Sequence, residues 1–166
     1  MSRAYLGVGS NVDRKRNIAS CLNALRRRFG ELAVSPIYRC PAVGFEGDDF
    51  FNLVVGVETE LEPEALVTEL HAIETEHGRT RQGPKFSDRT LDIDLLLYDD
   101  RVQEAADFTL PRPEILEQAF VLRPLADIAP DVVHPGEGRT IGELWADFPE
   151  PEEDLHPVLD PDNPGP

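Results

Sequence analysis

Four extended apolar runs, interleaved in a fixed order with two segments of helical periodicity, limit what this chain can fold into. Arg3–Gly9 (RAYLGVG) reads as a buried strand that ends in a Gly-Ser-Asn turn. Residues 14–29 place Ile18, Cys21, Leu22, Leu25 and Phe29 on one helical face, and Gly30 is the natural stop. Leu32–Arg39 predicts a second strand in which Pro36, lacking an N–H, marks an edge or a bulge. Beyond the Pro/Gly/Asp loop Cys40–Asp49, Phe50–Thr59 (FFNLVVGVET) predicts a third strand, paired with the second. Pro63 suits the first turn of a helix whose apolar face is Leu66, Val67, Leu70 and Ile73. Residues 77–90, rich in charge and with Gly78, Gly83 and Pro84, read as a long exposed loop; Leu91–Tyr98 (LDIDLLLY) is the fourth strand.

The order β-α-β-β-α-β is the split β-α-β, ferredoxin-like arrangement of the α+β class, an antiparallel sheet with two helices packed on it. Asp107–Asp131 adds short strand and helix pieces, and Ile141–Ala146 a short helix, as C-terminal additions. Residues 1–148 are expected to form a single domain. Residues 149–166 are dominated by Pro, Asp and Glu and are expected to be a disordered tail.

With 166 residues the chain is long enough for one full core, and no apolar run approaches the length of a membrane span. Acids outnumber Lys and Arg 32 to 16, a net charge of −16, which repels a nucleic-acid backbone. Cys21 and Cys40, in a chain without a secretion pattern, read as reduced thiols. A cytoplasmic protein with small-molecule partners is expected, neither nucleic acid nor membrane, with a monomer favoured.

The sharpest chemical feature is Asp92-Ile93-Asp94 inside an apolar strand. Alternation projects both carboxylates to one side, roughly 7 Å apart at Cα. Two bare carboxylates there repel each other and lose solvation, and a divalent cation removes both penalties. Mg²⁺ favours such a site, completing its shell with waters and phosphate oxygens. The bland alternative is an edge strand whose acidic face meets water; Leu96 on that same face and the run Leu95–Leu97 argue against it. Upstream, Arg79, Arg81, Lys85 and Arg89 stand against one acid, Asp88, within residues 79–89. They either pair with the acidic surface or bind an anion, and guanidinium forks suit phosphate oxygens. Cations beside metal-binding carboxylates describe a nucleotide-triphosphate site.

Phe50 and Asn52 share a face of the third strand. An aromatic face can stack on a flat heterocycle and an amide can read its edge, although a core Phe with a satisfied Asn is the default. His71 and Glu74 lie one helical turn apart near the rim of the second helix's apolar face, where a solvated face is as good an account as a site. No Walker-type or kinase-type glycine loop occurs, and Gly7-Val8-Gly9 is too short for either.

These residues converge on a family. Arg89-Thr90-Leu91-Asp92-Ile93-Asp94-Leu95-Leu96 resembles the signature of 6-hydroxymethyl-7,8-dihydropterin pyrophosphokinase. Gly7-Val8-Gly9-Ser10-Asn11, Tyr38-Arg39-Cys40-Pro41, Phe51-Asn52, Gly78-Arg79-Thr80-Arg81 and Phe120-Val121-Leu122-Arg123-Pro124-Leu125 fall in that family's order and approximate spacing. The resemblance implies a ferredoxin-like fold and transfer of pyrophosphate from ATP, the co-substrate, to the pterin hydroxymethyl oxygen in folate biosynthesis. It implies two Mg²⁺ ions on Asp92 and Asp94, with Arg81 and Arg89 assisting catalysis. Pterin contacts carry over to Cys40, Pro41, Val43, Phe50, Asn52 and Phe120. Nucleotide contacts carry over to His71, Glu74, Arg79, Arg81, Arg89, Leu95 and Thr109, with Lys85 and Arg112 joining them.

Several positions depart from the family pattern. Phe86-Ser87-Asp88 stands where Trp/Phe-Gly-Pro is usual, Arg112 replaces a common His, and Gln82 and Gln118 replace basic residues. They leave open two alternatives: a paralogue of the same fold acting on a different pterin, and a non-catalytic module that binds metal or nucleotide.

Overall fold

The first strand, β1 (Ser2–Ser10), lies inside the sheet and is hydrogen-bonded to a neighbouring strand on each side. The computed structural model describes residues 1–42, 46–78, 90–149 and 155–158. Helix α1 (Arg14–Phe29) follows and stops where expected, at Gly30, whose φ of 79° is the left-handed conformation glycine tolerates best. Arg26, Arg27 and Arg28 in its last turn complement the negative end of the helix dipole.

The expected second strand is split. Ala33–Val34 forms β2 and Ile37–Cys40 forms β3, both pairing with β4 (Phe50–Thr59). The break falls at Ser35-Pro36, where the Ser35 hydroxyl accepts a bond from the Val54 N–H at 2.8 Å and its own N–H reaches Val54 O at 3.0 Å. A side chain thus replaces one rung of the ladder that Pro36 interrupts. Helix α2 (Pro63–Glu76) leads towards β5 (Asp92–Tyr98) at one edge of the sheet. The path across the sheet is β5-β1-β4-β3, with every neighbouring pair antiparallel.

Both faces of this sheet are covered. Leu6, Val8, Leu53, Val55, Ile93 and Leu95 pack against Ile18 and Leu25 of α1 and Leu66 and Ile73 of α2. The other face carries Tyr5, Val54, Leu96 and Leu97, closed by Ile115, Leu122, Leu125 and Ile141. Those four come from α3 (Glu114–Glu117), α4 (Ala119–Ile128) and α5 (Ile141–Ala146), whereas the hairpin of β6 (Gln103–Glu104) and β7 (Thr109–Leu110) sends Leu110 into the α1/α2 core. Each large apolar side chain so buried contributes roughly 1.5–3 kcal/mol, so the third layer is a real part of the core.

Two consecutive leucines face this second layer because β5 bulges. Leu6 pairs with Leu95 and Tyr5 with Leu97, which leaves Leu96 as the extra residue.

The disordered-tail expectation needs correction within 155–158. His156–Val158 forms β8, antiparallel to β3, with Val158 opposite Ile37 and only 9% exposed. A single valine in a run of Pro and acids was a weak sequence signal. The unpaired edge of β3 is what gives it a place to bind.

Candidate active site

Alternation along four strands sends the chemically distinctive residues to one face of the sheet, opposite α1 and α2. On β5, Ile93 and Leu95 enter the α1/α2 core, so Asp92 and Asp94 project to the other side, both half-buried. Their partners on β1 are Gly9 and Gly7. Gly9 pairs on its other side with Asn52 of β4, and Asn52 pairs with Tyr38 of β3. Asp92, Gly9, Asn52 and Tyr38 therefore form one row across the sheet, each step about 4.8 Å. A carboxylate and an amide face each other across a strip that has no side chain.

The strip must stay bare. A Cβ on Gly9 would lie 2.7 Å from Asn52 Oδ1 and 3.7 Å from the Phe50 ring, so any other residue there would push Asn52 aside. Asn52 is also held from beyond, its Nδ2 donating to Cys40 Sγ at 2.7 Å. Cys40 is buried and pairs with Phe50. Phe50 and Asn52 are half-buried rather than enclosed, which favours the site reading over the default of a satisfied core pair. Pro41 follows on the surface. Phe120 enters from the first turn of α4, which packs against β4 and β3 on this face.

Tyr38 ends the row. Its hydroxyl donates to Asp127 Oδ2 at 2.5 Å, and the Arg123 guanidinium lies over its ring, 4.9 Å from the centroid. Burial, reinforced by the Asp127 carboxylate and opposed by Arg123, pushes the phenol up to about 12. It remains a donor at neutral pH and ties α4 to β3. Sequence reading missed this pair, because Asp127 lies 89 positions away and carries no local signal.

Asp92 and Asp94 are fixed from two directions. As β5 is the edge strand, the Ile93 N–H points away from β1 and donates to Glu74 Oε2 at 2.8 Å. Glu74 is 1% exposed. One oxygen of Glu74, expected as an ATP contact, is engaged by the β5 backbone between the two aspartates. His71, one turn earlier, is half-buried. Leu95, also expected as a nucleotide contact, is deeply placed. Its side chain is 3% exposed within the α1/α2 core, leaving only its main chain for a nucleotide.

From the other direction, the Leu96 carbonyl accepts a 3.0 Å bond from the Arg112 N–H. Arg112 Nη2 then lies 3.6 Å from Asp94 Oδ1, with Nε 2.9 Å from Glu114 Oε2. Thr109, half-buried on β7, reaches this side through the same segment. Val43, Arg79, Arg81, Lys85 and Arg89 lie outside the described residues, and so does most of the loop expected over 77–90.

Among the described residues no group of three or more His, Cys, Asp or Glu side chains converges as a metal cage. Two carboxylates on one open face do suit a hard cation that takes its remaining ligands from water or a phosphate. A cleft of about 1530 Å³ opens elsewhere, between α1 and β3, lined by Arg14, Arg39, Phe51 and Val158 among others. None of Asp92, Asp94, Phe50 or Asn52 borders it. No helix of the described residues is long and apolar enough to cross a membrane.

Residues 5–130 match the model of the family described as 7,8-dihydro-6-hydroxymethylpterin-pyrophosphokinase (HPPK). A 2-amino-4-hydroxy-6-hydroxymethyldihydropteridine pyrophosphokinase of Synechocystis is 40% identical over 85% of this chain and 73% of its own. One from Methylorubrum extorquens is also 40% identical, over 88% of this chain and 93% of its own. A crystal structure of Plasmodium falciparum HPPK-DHPS with pterin and p-hydroxybenzoate superposes with a TM-score of 0.71 at 15% identity. It covers 89% of this chain and 43% of that longer one, a likeness of fold alone. With the family model spanning most of its length and relatives this similar, the chain belongs to the 7,8-dihydro-6-hydroxymethylpterin-pyrophosphokinase family.

Proposed function

We propose that the open sheet face carries out the family's reaction, transfer of pyrophosphate from ATP to the hydroxymethyl oxygen of 6-hydroxymethyl-7,8-dihydropterin. The observation that carries this reading is the row Asp92–Gly9–Asn52, which sets a metal-binding side and a heterocycle-reading side against one bare strip. The scaffold is ferredoxin-like, a reading supported by the antiparallel β5-β1-β4-β3 order with α1 and α2 on one face. The chain acts in the cytoplasm as a single domain, with a monomer favoured.

Asp92 and Asp94 would hold two Mg²⁺ ions, which when bound neutralise phosphate charge and orient the phosphoryl chain. The residues of the chain do the rest by positioning. Asn52 presents an amide to the edge of the pterin, while Phe50 and Phe120 supply aromatic surface for its rings. Cys40 fixes the Asn52 amide, Pro41 follows it in the chain, and Val43 is a further pterin contact on this reading. On the nucleotide side, Arg79, Arg81, Lys85 and Arg89 are the cations for the phosphates, with Thr109 and Arg112 approaching from β7 onward. Glu74 holds β5 in place rather than touching ATP.

The test is direct. The protein is incubated with ATP, Mg²⁺ and 6-hydroxymethyl-7,8-dihydropterin, and products are separated by chromatography. AMP and the pterin diphosphate should appear in equal amounts. ADP in place of AMP, or no turnover, would overturn the reading.

A further inference from the structure

Arg112 already stands as a cation against the carboxylate pair. Its backbone is unusually fixed: Pro111 and Pro113 flank it, and its N–H is bound to the carbonyl of the bulged Leu96. The guanidinium therefore starts from a set position, 3.6 Å from Asp94 Oδ1. Glu114 shares it, its Oε2 2.9 Å from Nε as an ion pair without hydrogen-bond alignment. The side chains of Arg112 and Asp94 are 29% and 32% exposed, so a ligand can reach both.

From this geometry we infer that Arg112 is a positioning residue that governs metal entry by acting as the resident counter-ion of Asp94. Without nucleotide, the guanidinium offsets the carboxylate charge that a divalent ion would use, and the ion binds weakly. A phosphate chain offers the guanidinium a better-matched anion. Once Arg112 turns to phosphate, its charge no longer competes with the metal for Asp94, and metal and nucleotide bind with positive coupling. Glu114 holds the other flank of the guanidinium and limits how tightly it closes on Asp94. This inference rests on the assignment of Asp92 and Asp94 as metal ligands.

Mn²⁺ binding, followed by the paramagnetic signal of the free ion, tests it with and without a non-hydrolysable ATP analogue. In the nucleotide-free protein Arg112→Gln should bind Mn²⁺ about tenfold more tightly than wild type, the scale of one nearby charge at partial exposure. Its gain in Mn²⁺ affinity on adding the analogue should shrink by a similar factor. Glu114→Gln should move the other way, weakening Mn²⁺ binding without nucleotide. Arg101→Gln removes an equal charge at the far end of β5, from a side chain 40% exposed, and should change Mn²⁺ affinity less than twofold. Circular dichroism checks that each variant is folded, and the opposite signs expected of Arg112→Gln and Glu114→Gln do not follow from loss of structure. Equal or weaker Mn²⁺ binding by Arg112→Gln overturns the inference. Should Asp92→Asn leave Mn²⁺ binding with the analogue unchanged, the metal assignment itself fails, which is a separate result.

Discussion

The backbone N–H of Ile93 donates to the Glu74 carboxylate at 2.8 Å, and Ile93 lies between the two aspartates of the site. A helix on one face of the sheet thereby sets the strand whose other face does the chemistry. Glu74→Ala leaves that edge N–H without its partner and opens space in a buried position. A loss of about 1–3 kcal/mol in denaturant unfolding is expected. Glu74→Gln keeps an acceptor and should retain most of the stability. If Glu74→Ala unfolds like wild type, the strand is held by something else.

Gly9 is sensitive for a different reason. Its φ is unexceptional, but a Cβ would stand 2.7 Å from Asn52 Oδ1. Gly9→Ala should raise the KM for the pterin about tenfold, in line with displacement of one well-placed hydrogen-bonding group. The KM for ATP should change little. Steady-state kinetics with each substrate varied in turn gives the comparison, and an equal effect on both would contradict the assignment of Asn52 to the pterin side.

Asp92 and Asp94 should act as a unit. Asp92→Asn and Asp94→Asn each exchange a half-buried carboxylate for an amide of similar size, so the folded state should survive, with Asp94→Asn also giving up its ion pair with Arg112. Turnover should fall by orders of magnitude at any Mg²⁺ concentration, and the double variant should be little worse than either single one. Near-normal turnover in both single variants would remove the metal site.

The strand β8 makes the C-terminal segment structural. Ending the chain after Pro149 removes Val158 from its place opposite Ile37 and uncovers the β3 edge. A stability loss of about 1–2 kcal/mol is expected from the apolar area re-exposed, with turnover at 25 °C largely kept because no described site residue lies on β8. Val158→Asp in the full chain should reproduce the loss in a thermal melt.

His134 gives a pH dependence of known sign. Burial pushes its pKa below the ordinary histidine value, outweighing the opposing effect of Glu137. Its Nδ1 accepts from the Gly136 and Glu137 N–H groups at 3.1 Å, so the neutral ring is the folded form. The unfolded chain binds the proton more readily. His134 therefore costs no stability above the unfolded pKa of about 6.5, and stability falls as pH drops from there towards the depressed folded value. Melting temperature against pH should show this slope in wild type and a shallower one in His134→Gln. Equal slopes would place the acid sensitivity elsewhere.

Local rules read the sequence well wherever neighbouring residues decide the outcome. Helix α1 ends at Gly30 because that residue needs no long-range partner to adopt its positive φ. The shared face of Asp92 and Asp94, and that of Phe50 and Asn52, follow from strand alternation alone. Long-range pairing decided the rest. The bulge at Leu96 is invisible in LDIDLLLY, because it depends on register against Tyr5 and Leu6. Glu74 looks from its helix like a surface or site acid. Only the edge position of β5 turns it into a buried backbone anchor. The acidic tail lacks the apolar content to fold by itself, and His156–Val158 becomes a strand because β3 offers an unpaired edge. Residue chemistry and strand alternation select which side chains can do the chemistry and which face each strand gives them. The tertiary structure alone decided which of them meet, because cross-strand register and buried hydrogen bonds join residues that share no local pattern.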